Sequence, residues 1–317
     1  MGNSNRSEPA GADKPGFIGG HQSQQGSPGS TGARQFDAAG NQAISGAAAP
    51  LAPSPAGPTA QVTLAQAQEM ALRITTFFES SKSMNFQALA DDFDLQGMSF
   101  GLIQWNFGQD TLGPLLNKML AADQPAFAAC FGPSTNFPVL KSALDRNDQQ
   151  GQLDWTRELQ ARDKPAWRAA FQALGAIDRF NAIQLAEAEA AFHPRAMQAV
   201  SQLRLIAPAL MGAVEFRSYA ALFDLCVQQS GLTKALDQIK LRVKNEKPAT
   251  QSALLKIAVV ERARKANANF QSDCVSRRMG ILTGAPFESS EQGITKKRAN
   301  PQLVLIGQFG AAQVAGI

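Results

Sequence analysis

Two sets of carboxylates stand out by type and spacing. Glu79 closes a helical pattern directly after Phe77 and Phe78, and fifteen residues later Asp94 ends a group formed with Asp91 and Asp92, in a stretch carrying Gly97, Gly101 and Gly108. Apolar neighbours disfavour the charged form of Glu79 and raise its pKa toward what a general acid requires, whereas the Asp side chains stand among polar groups and stay ionised. Breaking a glycosidic bond needs such a pair. One acid protonates the leaving oxygen, and a second carboxylate across the cleft activates water or stabilises an oxocarbenium-like transition state. At this point the partner of Glu79 is one of Asp91, Asp92 and Asp94.

Other chemistries are short of residues. His21 and His193 are the only histidines, which excludes His-rich metal sites and the two-His metalloprotease helix. His193 precedes Pro194 and is expected in a loop, a poor place for the base of a Ser–His–Asp triad. The phosphate-cradling pattern G-x-x-x-x-G-K-[ST] is absent. Cys130, Cys226 and Cys274 are odd in number and far apart, and read as buried reduced thiols. No metal and no cofactor is expected. The formal charge of +4 is too small a bias to indicate nucleic acid as a partner. No run of 18 apolar residues is present, so no transmembrane segment is expected.

The elements that position these groups begin near residue 61. Thr63 and Gln66 fit a capping box, followed by Leu64, Met70, Ile74, Phe77 and Phe78 at spacings of three and four, so a helix is expected to about Glu79-Ser80. Residues 90–105 carry turn and β-forming residues without a helical period and predict a small hairpin. Helices resume from Asp110 or Thr111 with Pro114 in the first turn. Further helices are expected at about 138–146, 155–162, 165–175, 177–191, 195–206, 208–229, 232–241, 249–266 and 270–282. Breaks are placed at Gly132-Pro133, Pro165, Pro194, Gly231, Pro248 and Gly284. Past Gly284 the chain turns polar and then basic at Lys296-Lys297-Arg298, read as a solvated loop, and Leu303–Ile306 reads as a docked strand or a tail.

Residues 1–60 differ in kind. They hold 11 of the 26 Gly and 7 of the 17 Pro, and their charges sum to zero. Phe17, Ile18, Phe36, Ile44 and Leu51 are their only large apolar side chains, too few to offset the entropy of ordering, so disorder is expected. A basic region followed by an apolar stretch is absent, which argues against an ordinary cleavable signal. Gly2 raises myristoylation, but Arg6 stands where that motif wants Ser or Thr. The Ser/Gln/Gly-rich composition resembles the leaders of effectors exported by bacterial type III systems, which implies export without a cleavable signal and the secretion machinery as a partner. A plain linker fits the same composition. The division expected is a leader at 1–60, a catalytic domain at 61–284 and a C-terminal tail at 285–317.

Around the carboxylates the residues resemble a known family. Phe78-Glu79-Ser80, then Phe93-Asp94-x-x-Gly97-x-Ser99-x-Gly101-x-x-Gln104-Trp105-Asn106-x-Gly108-Gln109, then Leu112-x-Pro114-Leu115-Leu116 is similar to the lysozyme-like glycan hydrolases, in the branch of chitosanases and muramidase-like proteins. The resemblance implies a mainly α (α+β), lysozyme-like fold, a helical bundle with a small β-hairpin bearing part of the active site. It also implies an inverting hydrolase in which Glu79 is the acid, Asp94 the base and Ser99 the holder of the attacking water. Glu79-Ser80 with Gly101-Leu102-Ile103-Gln104 also resembles lytic transglycosylases, which give Glu79 the same task. Ala221–Gly231 and 261–278 resemble the buried and closing helices of this superfamily. Leu95 stands where relatives carry Gly, Gln229-Ser230 replaces Asn-Gly, and Asp110 occupies a Gly or Ser position.

Each residue has a structural alternative. Asp94 is also a turn former, and Ser99 a hairpin hydroxyl. Gln104 and Asn106 are placed in the sugar cleft or in core hydrogen bonds. Trp105 is a sugar platform or, more often for this residue type, a core anchor. Asp224, inside Leu-Phe-Asp-Leu-Cys-Val, reads as a buried acid paired with Arg262 or Arg277. The net basic charge of the folded part favours peptidoglycan over polycationic chitosan, with neutral chitin between. The readings are a hydrolase of β-1,4 bonds between aminosugars, a lytic transglycosylase, and a glycan-binding effector on the same scaffold without turnover.

Overall fold

A computed structural model describes residues 60–92 and 95–317. The leader expected at 1–60, its last residue apart, lies outside the described residues. In chain order the regular elements are β1 Gln61–Val62, α1 Leu64–Ser80, β2 Leu89–Ala90, β3 Ser99–Phe100, β4 Trp105–Asn106, α2 Leu112–Ala122, α3 Gln124–Ala129, α4 Phe137–Asp145 and α5 Gln149–Leu174. They continue as α6 Asp178–Ile206, α7 Pro208–Met211, α8 Phe216–Gln229, α9 Leu236–Glu246, α10 Gln251–Ala263, α11 Ala268–Thr283, β5 Glu288–Glu291, β6 Ile294–Lys297, α12 Val304–Phe309 and β7 Gln313–Val314.

The capping box opens α1 as read from the sequence. Thr63 Oγ1 accepts from the Gln66 amide at 3.2 Å, and Gln66 Oε1 accepts from the Thr63 amide at 2.9 Å. The helix ends where Ser81 turns left-handed at φ 57 and donates to the Phe77 carbonyl. Helices α1, α6, α10 and α11 pack around α8, which buries residues on every side, including Asp224. A helix wrapped on all faces must be apolar all round or carry paired polar groups. Its companion α11 does the second, burying Asp273, Arg277 and Arg278.

The hairpin gains a third strand. β2, β3 and β4 form an antiparallel sheet in sequence order, with Leu89 opposite Phe100 and Ser99 opposite Asn106. It leans on α5, where the rings of Phe100 and Phe171 lie 5.2 Å apart. Gly97 before β3 takes φ +82, and a Cβ there would stand 2.6 Å from Leu153 Cδ2 of α5. The left-handed φ favours glycine here, and a larger residue would also oblige the Leu153 side chain to shift.

The proline breaks divide in two. At Pro165 the backbone of Asp163 leaves helical geometry, and its carboxylate caps the new turn by accepting from the Ala166 amide. At Pro194 the expected break is absent: α6 runs unbroken, and His193 lies within it with Nδ1 3.0 Å from the Tyr219 hydroxyl. Pro194 and Ala190, whose carbonyl loses its donor, are both exposed, so water can serve that carbonyl and the helix survives. The helix expected at 208–229 is divided instead, because Val214 and Glu215 engage β7: the Val314 amide donates to the Val214 carbonyl, and Glu215 forms a bridge with Gln313.

The segment after Gly284 is folded onto the bundle. β5 and β6 make an antiparallel hairpin, so Lys296 and Lys297 lie in a strand and Arg298 just past it. Residues 304–309 are helical, with Leu303 and Ile306 buried. β7 then pairs parallel with β1, Gln61 with Gln313 and Val62 with Val314, which joins the two ends of the described fold. The cysteines are free, and burial pushes the Cys226 thiol up to about 12.

Candidate active site

Glu79 sits in the last turn of α1, buried at 3% exposure. Its Oε1 accepts from Arg277 Nη2 at 2.6 Å, and the same nitrogen donates to Asp224 Oδ1 at 2.6 Å. Behind Asp224, Arg278 places Nε 3.0 Å from Oδ2 and donates from Nη2 to the Asp224 carbonyl at 3.2 Å. Two carboxylates thus alternate with two guanidinium groups in a chain whose members are at most 3% exposed. Buried charge is tolerated only when balanced in this way. The acid of α8 has Arg277 as partner, one of the two expected from sequence. Arg262 bonds instead to the Gly231 and Gln229 carbonyls.

Burial raises the pKa of Glu79 above the usual carboxylate value. Arg277 opposes that rise by its charge and hydrogen bond, while Asp224 and Asp273 add to it. The pKa of Arg277 is raised as well: burial works against its charge, but Asp224, Glu79 and Asp273 outweigh it and hold the guanidinium protonated. A carboxyl whose pKa is raised by burial, beside a fixed cation, is the kind of group that can deliver a proton to a leaving oxygen.

The sheet brings Ser99, Gln104, Trp105 and Asn106 together. Ser99 and Asn106 are partners across β3 and β4. Gln104 takes φ +59, and its Nε2 donates to the Gly101 carbonyl at 3.1 Å. Asn106 Oδ1 accepts from the Gln109 amide at 2.8 Å, while its backbone N–H and carbonyl both bond Thr111 Oγ1. Trp105 is 5% exposed and belongs to the core. Both side-chain amides thus bond nearby backbone groups.

Asp94 lies outside the described residues. Its neighbours are anchored to α5. Asp91 pairs with Lys164 and with Arg168, the latter at 2.8 Å. Asp92 accepts from Arg157 Nε at 2.7 Å and from the Gly97 amide at 2.5 Å. Arg157 Nη2 also donates to the Leu95 carbonyl, and Gln160 Nε2 to the Gly97 carbonyl at 2.6 Å. Leu95, which replaces a glycine of the resembled pattern, takes the left-handed φ of 63 that glycine prefers.

Sequence reading missed Arg278, Asp273 and Arg298, and it did not link Arg277 to Glu79. The available signal was charge inside apolar helical sequence: Asp273, Arg277 and Arg278 share α11 with Cys274, Val275, Met279 and Ile281. Among the described residues no cluster of His, Cys, Asp and Glu is arranged to hold a metal ion, and no helix is long and apolar enough to cross a membrane.

No family model matches the sequence, and no curated protein does. Solved structures do resemble it. A mutant chitosanase from Bacillus subtilis complexed with GlcN is 11% identical, with a TM-score of 0.50 over 74% of this chain and 99% of that one. The fold is lysozyme-like. A GH46 chitosanase of Gynuella sunshinyii in complex with chitotetraose is 14% identical, at a TM-score of 0.48, over 76% of this chain and 100% of that one. Mainly α, with a three-stranded sheet beside the bundle and two smaller two-stranded ones, the lysozyme-like fold agrees with what the residues around Glu79 imply.

Proposed function

We propose that this chain is a glycoside hydrolase acting on β-1,4 bonds between aminosugars, with peptidoglycan as its polymer. The observation that carries the reading is Glu79: a carboxyl at a helix end, desolvated, raised in pKa and held on Arg277. Glu79 protonates the glycosidic oxygen. Asp94 acts as base toward a water that Ser99 positions, as the resemblance implies, and the inverting geometry needs room for that water between the two carboxylates. The commitment of Asp91 and Asp92 to ion pairs with α5 supports giving the base role to Asp94. Gln104, Trp105 and Asn106 form the floor beneath the sugar, and their burial supports a shaping role there.

The net charge of +4 supports an anionic wall polymer over polycationic chitosan. The chitosanases that share the fold keep chitosan as the first competitor, and chitin as the second. The leader composition supports delivery to the wall by export without a cleavable signal. A second reading, glycan binding without turnover, draws on the 3% exposure of Glu79 and its close ion pair with Arg277.

Mass analysis of digested peptidoglycan decides among these. Reducing-end products that vanish in Glu79→Gln and in Asp94→Asn are expected, with a loss of about 10²–10⁴-fold from the acid alone. A 1,6-anhydro product insensitive to Asp94→Asn means a lytic transglycosylase. Undiminished cleavage by Glu79→Gln sinks the assignment, and saccharide binding without any product selects the non-catalytic reading.

A further inference from the structure

The last turn of a helix leaves carbonyls without intrahelical donors. In α1 the Phe77 carbonyl is taken by the Ser81 amide, and the Thr76 carbonyl receives the Ser80 hydroxyl. The carbonyl of Phe78, immediately before Glu79, is taken from far away in sequence. Arg298 Nη2 donates to it at 2.6 Å, while Nη1 of the same guanidinium binds Asp273 Oδ1 at 2.7 Å. Two guanidinium groups cover the Phe78 ring, Arg277 at 5.0 Å and Arg298 at 6.0 Å from its centroid, within cation–π range.

The hairpin that delivers Arg298 is itself fixed to α11. Ser272 Oγ donates to the Glu291 carbonyl at 3.2 Å and accepts from the Glu291 amide at 2.7 Å. Ser276 Oγ donates to the Phe287 carbonyl at 2.7 Å and accepts from the Arg298 amide at 3.0 Å. Two residues on, Asn300 Nδ2 donates to the Ile74 carbonyl of α1 at 2.9 Å. The segment after Gly284 therefore grips the end of α1 that bears Glu79.

We infer that Arg298 is a positioning residue for Glu79, holding the last turn of α1 through the Phe78 carbonyl and neutralising Asp273 beside the acid. This rests on the reading of Glu79 as the acid. The charged groups that face Glu79 are Asp224 from α8 and Asp273 and Arg277 from α11, with Arg278 behind Asp224 and Arg298 on Asp273. Asp273 stays ionised although burial opposes it, because Arg277 and Arg298 and the Gln228 amide favour its charged form. With Arg298 present, the negative charge of Asp273 is offset. Without it, that charge acts more fully on Glu79 and makes its ionisation harder.

The test is a titration of the Glu79 carboxyl in the full chain by ¹³C NMR, its signal assigned by its absence in Glu79→Gln. Arg298→Gln, which keeps a donor for the Phe78 carbonyl and removes the charge, is expected to raise the midpoint by several tenths of a pH unit. Arg298→Lys, which keeps the charge, leaves it near wild type. Asp273→Asn lowers it, and in that background Arg298→Gln loses most of its effect. The same order appears in the basic limb of the pH–rate profile, since the acid must be protonated to act. A Glu79 midpoint unmoved by Arg298→Gln, with only a drop in melting temperature, overturns the inference and reduces Arg298 to a structural tie. Should Arg298→Gln fail to fold, Asp273→Asn alone decides, and an unchanged midpoint there is equally fatal. Cleavage retained by Glu79→Gln sinks the hydrolase reading instead, without touching the titration.

Discussion

The two carboxylate regions are built by opposite rules. Around Glu79, charges are paired inside the bundle at exposures of 0–3%, between acids on α1 and α8 and two arginines on α11. Around Asp91 and Asp92, the pairs lie near the surface and run to one helix, α5, with the Arg157–Asp92 side chains 38% and 19% exposed. In the first region desolvation is the largest influence on the acid and raises its pKa. In the second, water screens the charges, and the ion pairs serve to hold backbone in place. The proposed acid is thus placed in the core, and the residues flanking its proposed partner are fastened from outside.

The comparison breaks most sharply at Asp224. Asp224→Asn leaves Arg277 and Arg278 buried with too little negative charge, and breaking a buried pair in this way costs about 3–5 kcal/mol. Chemical denaturation should register that loss, with the midpoint falling and the slope unchanged. A cost as small as that of a surface pair would mean that the bundle interior is wet, and the contrast between the regions would collapse.

A smaller effect is written in pH. The folded pKa of Glu79 lies above its ordinary 4.5, chiefly through burial. Its contribution to stability is therefore fully present below 4.5 and fades as pH rises through the folded value. Asp273, held below its ordinary 3.8 although burial opposes it, behaves oppositely: its contribution is present above 3.8 and fades as pH falls through the folded value. Melting temperatures between about pH 4 and about pH 8 should show wild type losing stability on the alkaline side of 4.5, by about 1.4 kcal/mol for every tenfold by which folding tightens the hold of Glu79 on its proton. Glu79→Gln should lack that loss. Parallel curves would place Glu79 in water.

Local signals made much of this legible. The capping box, the end of α1 and the break at Pro165 follow from short-range chemistry that one sequence carries in full. Pro194 misled because packing on both sides of it, at Ala188, Phe192, Ala196 and Ala199, carries the helix past a proline whose freed carbonyl faces water. The division of 208–229 was hidden for another reason: it depends on β7, about a hundred residues away. The same holds for the site. Glu79 is visible as an acid after two phenylalanines, and Asp224 as a buried charge needing an arginine. Which arginine, and the fact that Arg277 serves both acids, depend on how α8 and α11 pack. Arg298 carried no local signal beyond a basic run, and only the folded hairpin brings it to Phe78.

The smallest expected effect on stability tests the outer region. Arg157 donates to Asp92 and to the Leu95 carbonyl, so it grips both sides of the segment holding Asp94. Its pair with Asp92 is partly exposed, so Arg157→Ala should lower stability by about 1 kcal/mol or less. Gln160 still holds the Gly97 carbonyl, and Asp92 still receives the Gly97 amide, so the sheet survives. If the grip exists to aim the segment, glycan cleavage falls several-fold more than that stability change accounts for, with the loss in kcat. Arg157→Lys, which keeps the charge but lacks the geometry to reach both partners, should restore stability and leave kcat low. Full recovery of kcat in Arg157→Lys would show that charge alone suffices, and the surface pairs would then differ from the buried ones in degree and not in kind.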